Sequence, residues 1–166
     1  MGLTTYLQGG AFLSALFENW ESEFLQMATY VVLTAMLFQR GSAESRDPDA
    51  PERGNDDLPW RQRHPTLAWL YGRSLGLVLA SLFLTSFVLH WWFSVAAANE
   101  EAALHGRELH TAVSYLADPQ LWFESFQNWQ SEFLSTAVLV VLSIFLRQRG
   151  SPESKPVAAG HSETGS

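Results

Sequence analysis

The chain has 166 residues, a formal net charge of −7, no cysteine, and a mean hydropathy of −0.01 that averages very apolar stretches with very polar ones. Without cysteine there is no disulfide framework, no thiolate nucleophile and no cysteine-based metal site, and the acidic excess excludes a general nucleic-acid binder. Read segment by segment, this is a membrane protein: seven Trp and eleven Phe stand mostly beside the apolar runs, where an amphipathic indole favours the headgroup level of a bilayer.

In chain order, the opening MGLTTYLQGGAF has no basic residue ahead of an apolar core, so no signal peptide is expected. The first apolar run is Phe24 to Phe38. Counted from Trp20 it approaches the roughly 20 residues that a core about 30 Å thick requires, and predicts a transmembrane helix over 20–38 inside a first unit, 1–46. The segment 47–70 is rich in Pro and charge and predicts a flexible linker. The run from Leu75 to Val95 predicts a second span, 71–98, ending beside Trp91 and Trp92, with His90 as an interfacial side chain. Gly72, Gly76 and Ala80 form a ladder of small residues on it that favours close helix packing.

The loop 99–118 contains NEEAALHGRELH, with Glu101 and His105 at a spacing that suits two metal ligands. No third ligand follows at fixed spacing, so a solvated helix end closed by Gly106 is the better reading, and no metal or cofactor is expected. Asp118 before Pro119 predicts an N-cap and first turn for a helix running to about Arg147. Its final part, 129–147, is the third span, within a second unit, 119–155. The earlier part is an amphipathic extension carrying the stripe Trp122, Phe126, Trp129, Phe133. The tail 156–166 predicts disorder.

Lys and Arg are retained on the cytoplasmic side. Arg40, Arg46, Arg53, Arg61, Arg63 and Arg73 lie between the first two spans, and Arg147, Arg149 and Lys155 follow the third. The N-terminus is therefore expected outside and the C-terminus in the cytoplasm.

The chain repeats itself. Setting Tyr6 on Tyr115 aligns Tyr6–Arg46 with Tyr115–Lys155 without a gap, and about half of the positions are identical. NWESEFL at Asn19 returns as NWQSEFL at Asn128, and QRGSAES at Gln39 as QRGSPES at Gln148. Both copies run outside to inside, so the repeat is parallel, with the middle span as the return. A counterpart of that span before Tyr6 is missing. The first unit lacks its leading helix, either as a natural three-helix form or because the true start lies upstream of Met1.

The segments FENWESEFLQMATYVVLTAMLFQRGSAES, AANEEAALHG and FESFQNWQSEFLSTAVLVVLSIFLRQRGSPESKPV resemble a bacterial family of small integral membrane proteins catalogued only as a domain of unknown function. The resemblance implies an inner-membrane location and a tandem design, and carries no activity and no site residues.

On a helix, Asn19 and Glu23 share a face, as do Asn128 and Glu132. These four are the candidate polar packing or ion site: Glu23 and Glu132 near the outer boundary either fix helix packing or hold a proton or cation between them. No Ser-His-Asp order, phosphate-cradling Gly loop or zinc signature is present. The expectation is an all-α membrane protein with three transmembrane helices. It is a non-enzymatic scaffold whose partners are the bilayer, further copies of itself or other membrane proteins; the alternative is a small transport or ion- and proton-coupling protein.

Overall fold

The computed structural model describes residues 2–49 and 60–164. Six helices and no strand occur among them: α1 (Leu3–Leu7), α2 (Gly10–Met36), α3 (Pro65–Gly72), α4 (Ser74–Leu104), α5 (Ala112–Tyr115) and α6 (Pro119–Phe145). The chain is all-helical, as its apolar periodicity predicts.

The helix ends follow local chemistry. Pro65 opens α3 at its first turn, where a missing N–H costs nothing. Ser74 opens α4 with its hydroxyl donating to the Tyr71 carbonyl at 2.8 Å. At the other end of α4, Gly106 takes a left-handed φ of 62° while the Arg107 N–H reaches back to the Ala102 carbonyl at 2.9 Å. This is the glycine-closed helix end that the sequence predicts. Asp118 accepts from the Gln120 N–H at 2.8 Å, capping α6 at its predicted start.

Of the three predicted spans, only α4 is long and apolar enough to cross a membrane, with a mean hydropathy of 1.7 over its best window. It runs past the predicted 71–98 to Leu104 and starts only at Ser74. The apolar parts of α2 and α6, from Phe24 and Phe133 to their ends at Met36 and Phe145, reach only about 20 Å at the rise of an α-helix. Polar residues fill the first half of each.

Two compact units share these helices: residues Met1–Ala28 with Val78–Glu132, and Thr29–Leu77 with Phe133–Ser166. In the first, α2 and α4 run antiparallel. Ser14 Oγ meets Ser94 Oγ at 2.6 Å, Phe17 stacks on Phe93 at 5.7 Å, and a Cβ on Gly10 would come within 3.0 Å of the Ala97 backbone nitrogen. Gly and Ser at these positions let the helix backbones approach. On the other side of α4, Trp129 packs on Phe83 at 6.2 Å and Trp122 on Phe87 at 6.0 Å. α6 therefore also runs antiparallel to α4, and in the same direction as α2.

Burial in this unit runs opposite to that of a water-soluble core. Ser14, Glu21, Ser22, Ser86, His90, Ser94 and Ser125 are buried, whereas Leu82, Leu84, Val88, Trp92 and Phe126 are exposed.

In the second unit the two QRGSxES segments make the same turn. Gly41 and Gly150 take φ of 81° and 83°. The Gln39 and Gln148 N–H groups donate to Ser45 and Ser154 Oγ at 2.6 and 2.9 Å. These serines donate in turn to the carbonyls of Arg46 and Lys155 at 3.0 and 3.1 Å. Lys155, 3% exposed as a residue, donates through Nζ to the carbonyls of Gly160, His161 and Glu163 at 3.3, 2.9 and 2.9 Å. The predicted linker 47–70 lies partly outside the described residues, and its end forms the start of α3.

Candidate functional site

The centre of the first unit is His90, an imidazole with no exposed surface on the most apolar helix of the chain. An unpaired imidazole in such surroundings is costly, so its partners define what it does. Its Nδ1 lies 2.7 Å from Oε2 of Glu21, also fully buried. The second Glu21 oxygen, Oε1, accepts a hydrogen bond from the indole N–H of Trp129 at 3.0 Å. Glu21 is thus held at both oxygens and holds the imidazole in turn.

The other ring nitrogen, Nε2, has no hydrogen-bond partner. It faces Oε2 of Glu124 at 3.5 Å, close enough for an ionic attraction and beyond good hydrogen-bond geometry. Glu124 accepts from the Gln120 amide at 2.7 Å through Oε1. Glu18, one turn ahead of Glu21 on α2, accepts from the Asn128 amide. One ring nitrogen of His90 and one carboxylate oxygen each of Glu18 and Glu124 all lie within 4.8 Å of one another.

Glu18 and Glu124 stand in the wall of a cavity of about 810 Å³, with Ser14, Ser94, Arg107 and Tyr115 among the other lining residues. His90 is buried behind them. The segment between α4 and α6 that helps to line it is tied down. The Asn99 side-chain amide donates to the His110 carbonyl at 2.9 Å and accepts from the His110 N–H at 2.7 Å, and the Trp91 indole donates to the Ala112 carbonyl at 2.9 Å.

The two cavity carboxylates are tuned in opposite directions. Burial raises the Glu18 carboxyl above the ordinary carboxylate range; nearby Glu124 and Glu21 add to this, while His90 and Asn128 oppose it. The imidazole of His90, followed by the Gln120 amide, holds Glu124 below that range despite its partial burial.

The sequence-predicted residues take other places. Glu23 is exposed, Asn19 is exposed with its amide on the Ala15 carbonyl at 2.8 Å, and the Glu132 carbonyl accepts from Gln26 at 3.3 Å. Of the four, only Asn128 joins the centre, through Glu18. The carboxylates around His90 are Glu18, Glu21 and Glu124, and the imidazole is fully buried among them. Gly72 lies in α3 and Gly76 and Ala80 in α4, so the small-residue ladder does not occupy one helix. In the loop, His105 Nδ1 contacts the Glu101 backbone carbonyl at 2.9 Å; the helix end uses this pair locally.

One signal in the sequence marks the carboxylates around His90. In the alignment of the two copies, Glu18 and Glu21 stand opposite Gln127 and Gln130, and Glu124 stands opposite Ala15. The site is built from positions where one copy carries a charge and the other does not.

The model of the family described as Domain of unknown function (DUF6766) matches residues 1–166. No curated protein and no solved structure matches the chain.

Proposed function

The chain belongs to this family of unknown function, and from its geometry we propose a small bacterial inner-membrane protein that couples to a proton or cation at the His90 centre and performs no enzymatic chemistry. The observation that carries this reading is a fully buried imidazole, placed between Glu21 and Glu124, with Glu124 and Glu18 in the wall of a cavity. A buried ionisable cluster is costly, and its place beside a cleft marks it as a site that binds or relays an ion.

The membrane setting has independent support. Small and polar residues are buried while Leu, Val and Phe are exposed, a pattern suited to lipid because tails solvate apolar side chains and helices associate through close packing. On this reading α2 and α6 also enter the bilayer, with Trp20 and Trp129 at the interface and their polar first halves outside. Three spans, an outside N-terminus and a cytoplasmic C-terminus follow from the arginine distribution. The parallel course of α2 and α6 and the recurrence of the QRGSxES turn support an origin by duplication.

The test is reconstitution into vesicles with an imposed pH or cation gradient. Wild type is expected to support flux. His90→Gln and Glu21→Gln are expected to abolish it while the assembly state in detergent is unchanged, and Glu23→Gln is expected to leave it intact. Wild-type vesicles without flux would sink the reading.

A second reading, a packed scaffold acting through further copies or other membrane proteins, is favoured by the close contacts at Gly10 and between Ser14 and Ser94. Under it, His90→Gln alters assembly and no flux is present to lose.

A further inference from the structure

The geometry points to a divalent transition-metal site in the first unit, with Nε2 of His90 and the carboxylates of Glu18 and Glu124 as ligands and Glu21 orienting the imidazole. This rests on the same centre as the function proposed above and names the cation that it takes.

Three observations carry it. First, the three candidate ligand atoms already lie within 4.8 Å of one another. Ligands about 2.1 Å from a tetrahedral metal stand about 3.4 Å apart, and Nε2 of His90 is 3.5 Å from Oε2 of Glu124.

Second, Nε2 is a buried nitrogen without a hydrogen-bond partner, on a ring with no exposed surface. Its other nitrogen is engaged by a carboxylate at 2.7 Å. A carboxylate that accepts from Nδ1–H orients the ring and presents Nε2 to a metal ion, which displaces the proton there. This is the supporting arrangement found behind metal-binding histidines. The Trp129 hydrogen bond to Glu21 extends the support by one more layer.

Third, charge requires a cation. Glu18, Glu21 and Glu124 surround a single imidazole, and two carboxylates placed at the cavity wall are offset by one divalent ion. One nitrogen and two oxygens suit zinc, manganese or iron(II) better than calcium or magnesium, which favour oxygen alone. The cavity leaves a coordination position open to water or to an exchanging ligand, and supplies an entry path.

The test uses the full chain in detergent, stripped with a chelator, loaded with zinc chloride and dialysed. Retained zinc is measured by mass spectrometry, and the visible spectrum is recorded after cobalt(II) is substituted for zinc. Wild type is expected to keep about one zinc per chain and to give the intense cobalt bands of a low-coordinate site. His90→Gln and Glu124→Gln are expected to fall to background. Glu21→Gln is expected to weaken affinity about 10–100-fold, and His105→Ala to retain zinc as wild type does. A wild type that keeps no zinc overturns the assignment. So does retention unchanged in Glu18→Gln, a variant at the cavity wall that serves if His90→Gln loses its helicity. Flux measured in parallel separates the two proposals. Proton flux that persists in chelator and is lost in His90→Gln keeps the coupling function and overturns the metal as its cation. Zinc retained by a wild type without flux keeps the site and overturns the coupling function.

Discussion

Glu21 and His90 form an ion pair at 2.7 Å in which neither side chain has exposed surface, and Glu21 is the one residue of NWESEFL that its repeat NWQSEFL does not share. A buried pair of this kind is worth little against a well-packed apolar pair, but losing one member strands the other. His90→Ala is therefore expected to destabilise the first unit by about 3–5 kcal/mol. Glu21→Gln, which copies the amide of Gln130 and preserves the Trp129 contact in shape, is expected to cost distinctly less than Glu21→Ala. Unfolding of the three variants by denaturant in detergent measures both.

The glycines of the helix contacts separate by what a methyl group would meet. A Cβ at Gly10 lies 3.0 Å from the Ala97 nitrogen and 3.3 Å from its Cα, backbone atoms that cannot step aside. Gly10→Ala is expected to cost about 1–3 kcal/mol through overpacking. At Gly76 the nearest atom is Val32 Cγ2 at 3.5 Å, an ordinary contact, so Gly76→Ala is expected to be neutral or to stabilise by up to about 1 kcal/mol through helix propensity. Thermal melts rank the pair.

Gly41 and Gly150 occupy the same left-handed position of the repeated turn, at φ of 81° and 83°. Alanine at either costs about 1–2 kcal/mol in backbone strain. At Gly41 the new Cβ would also meet the His161 carbonyl at 2.7 Å, whereas nothing lies within 4 Å at Gly150. Gly41→Ala is expected to be the worse of these matched substitutions, read by proteolysis of the tail.

The opposed tuning of Glu18 and Glu124 sets the sign of the acid response. Glu124 is held below the ordinary range, so its contribution to stability is present above its unfolded pKa and is lost as pH falls through the lower folded value. Glu18 is held above the ordinary range, so its contribution is present below its unfolded pKa and is lost as pH rises through the higher folded value. Glu124→Gln is expected to flatten the loss of stability on the acid side, and Glu18→Gln the loss on the less acid side. Stability against pH for the two variants checks the signs.

The cavity carboxylates make a matching prediction for zinc. A ligand carboxylate must be deprotonated, so retention is expected to rise with pH, and Asn99→Ala is expected to leave the midpoint where it is in wild type. Asn99 holds the loop at His110 and touches no ligand. Zinc titrations at stepped pH give the midpoint.

Helical class, the cap at Asp118 and the stop at Gly106 were legible in the sequence, because each is decided within a few residues by local backbone chemistry. The repeated sequence drew attention to what its two stretches share: Glu23 and Glu132. Identity between the two stretches reflects common local sequence. It does not say which face of α2 meets α4. With α2 and α4 antiparallel, Gly10, Ser14 and Glu21 fall on the buried face while Glu23, two residues on, turns away from it.

The sequence by itself determined the helical class, the helix ends at Gly106 and Asp118 and the apolar stretches, since these depend on periodicity and on neighbours along the chain. Only the tertiary structure decided that His90, 69 residues from Glu21, meets it at 2.7 Å, with Glu124 on the other side of the ring. That choice depends on helix rotation and register, which small residues such as Gly10 and Ser94 permit and which no local pattern encodes.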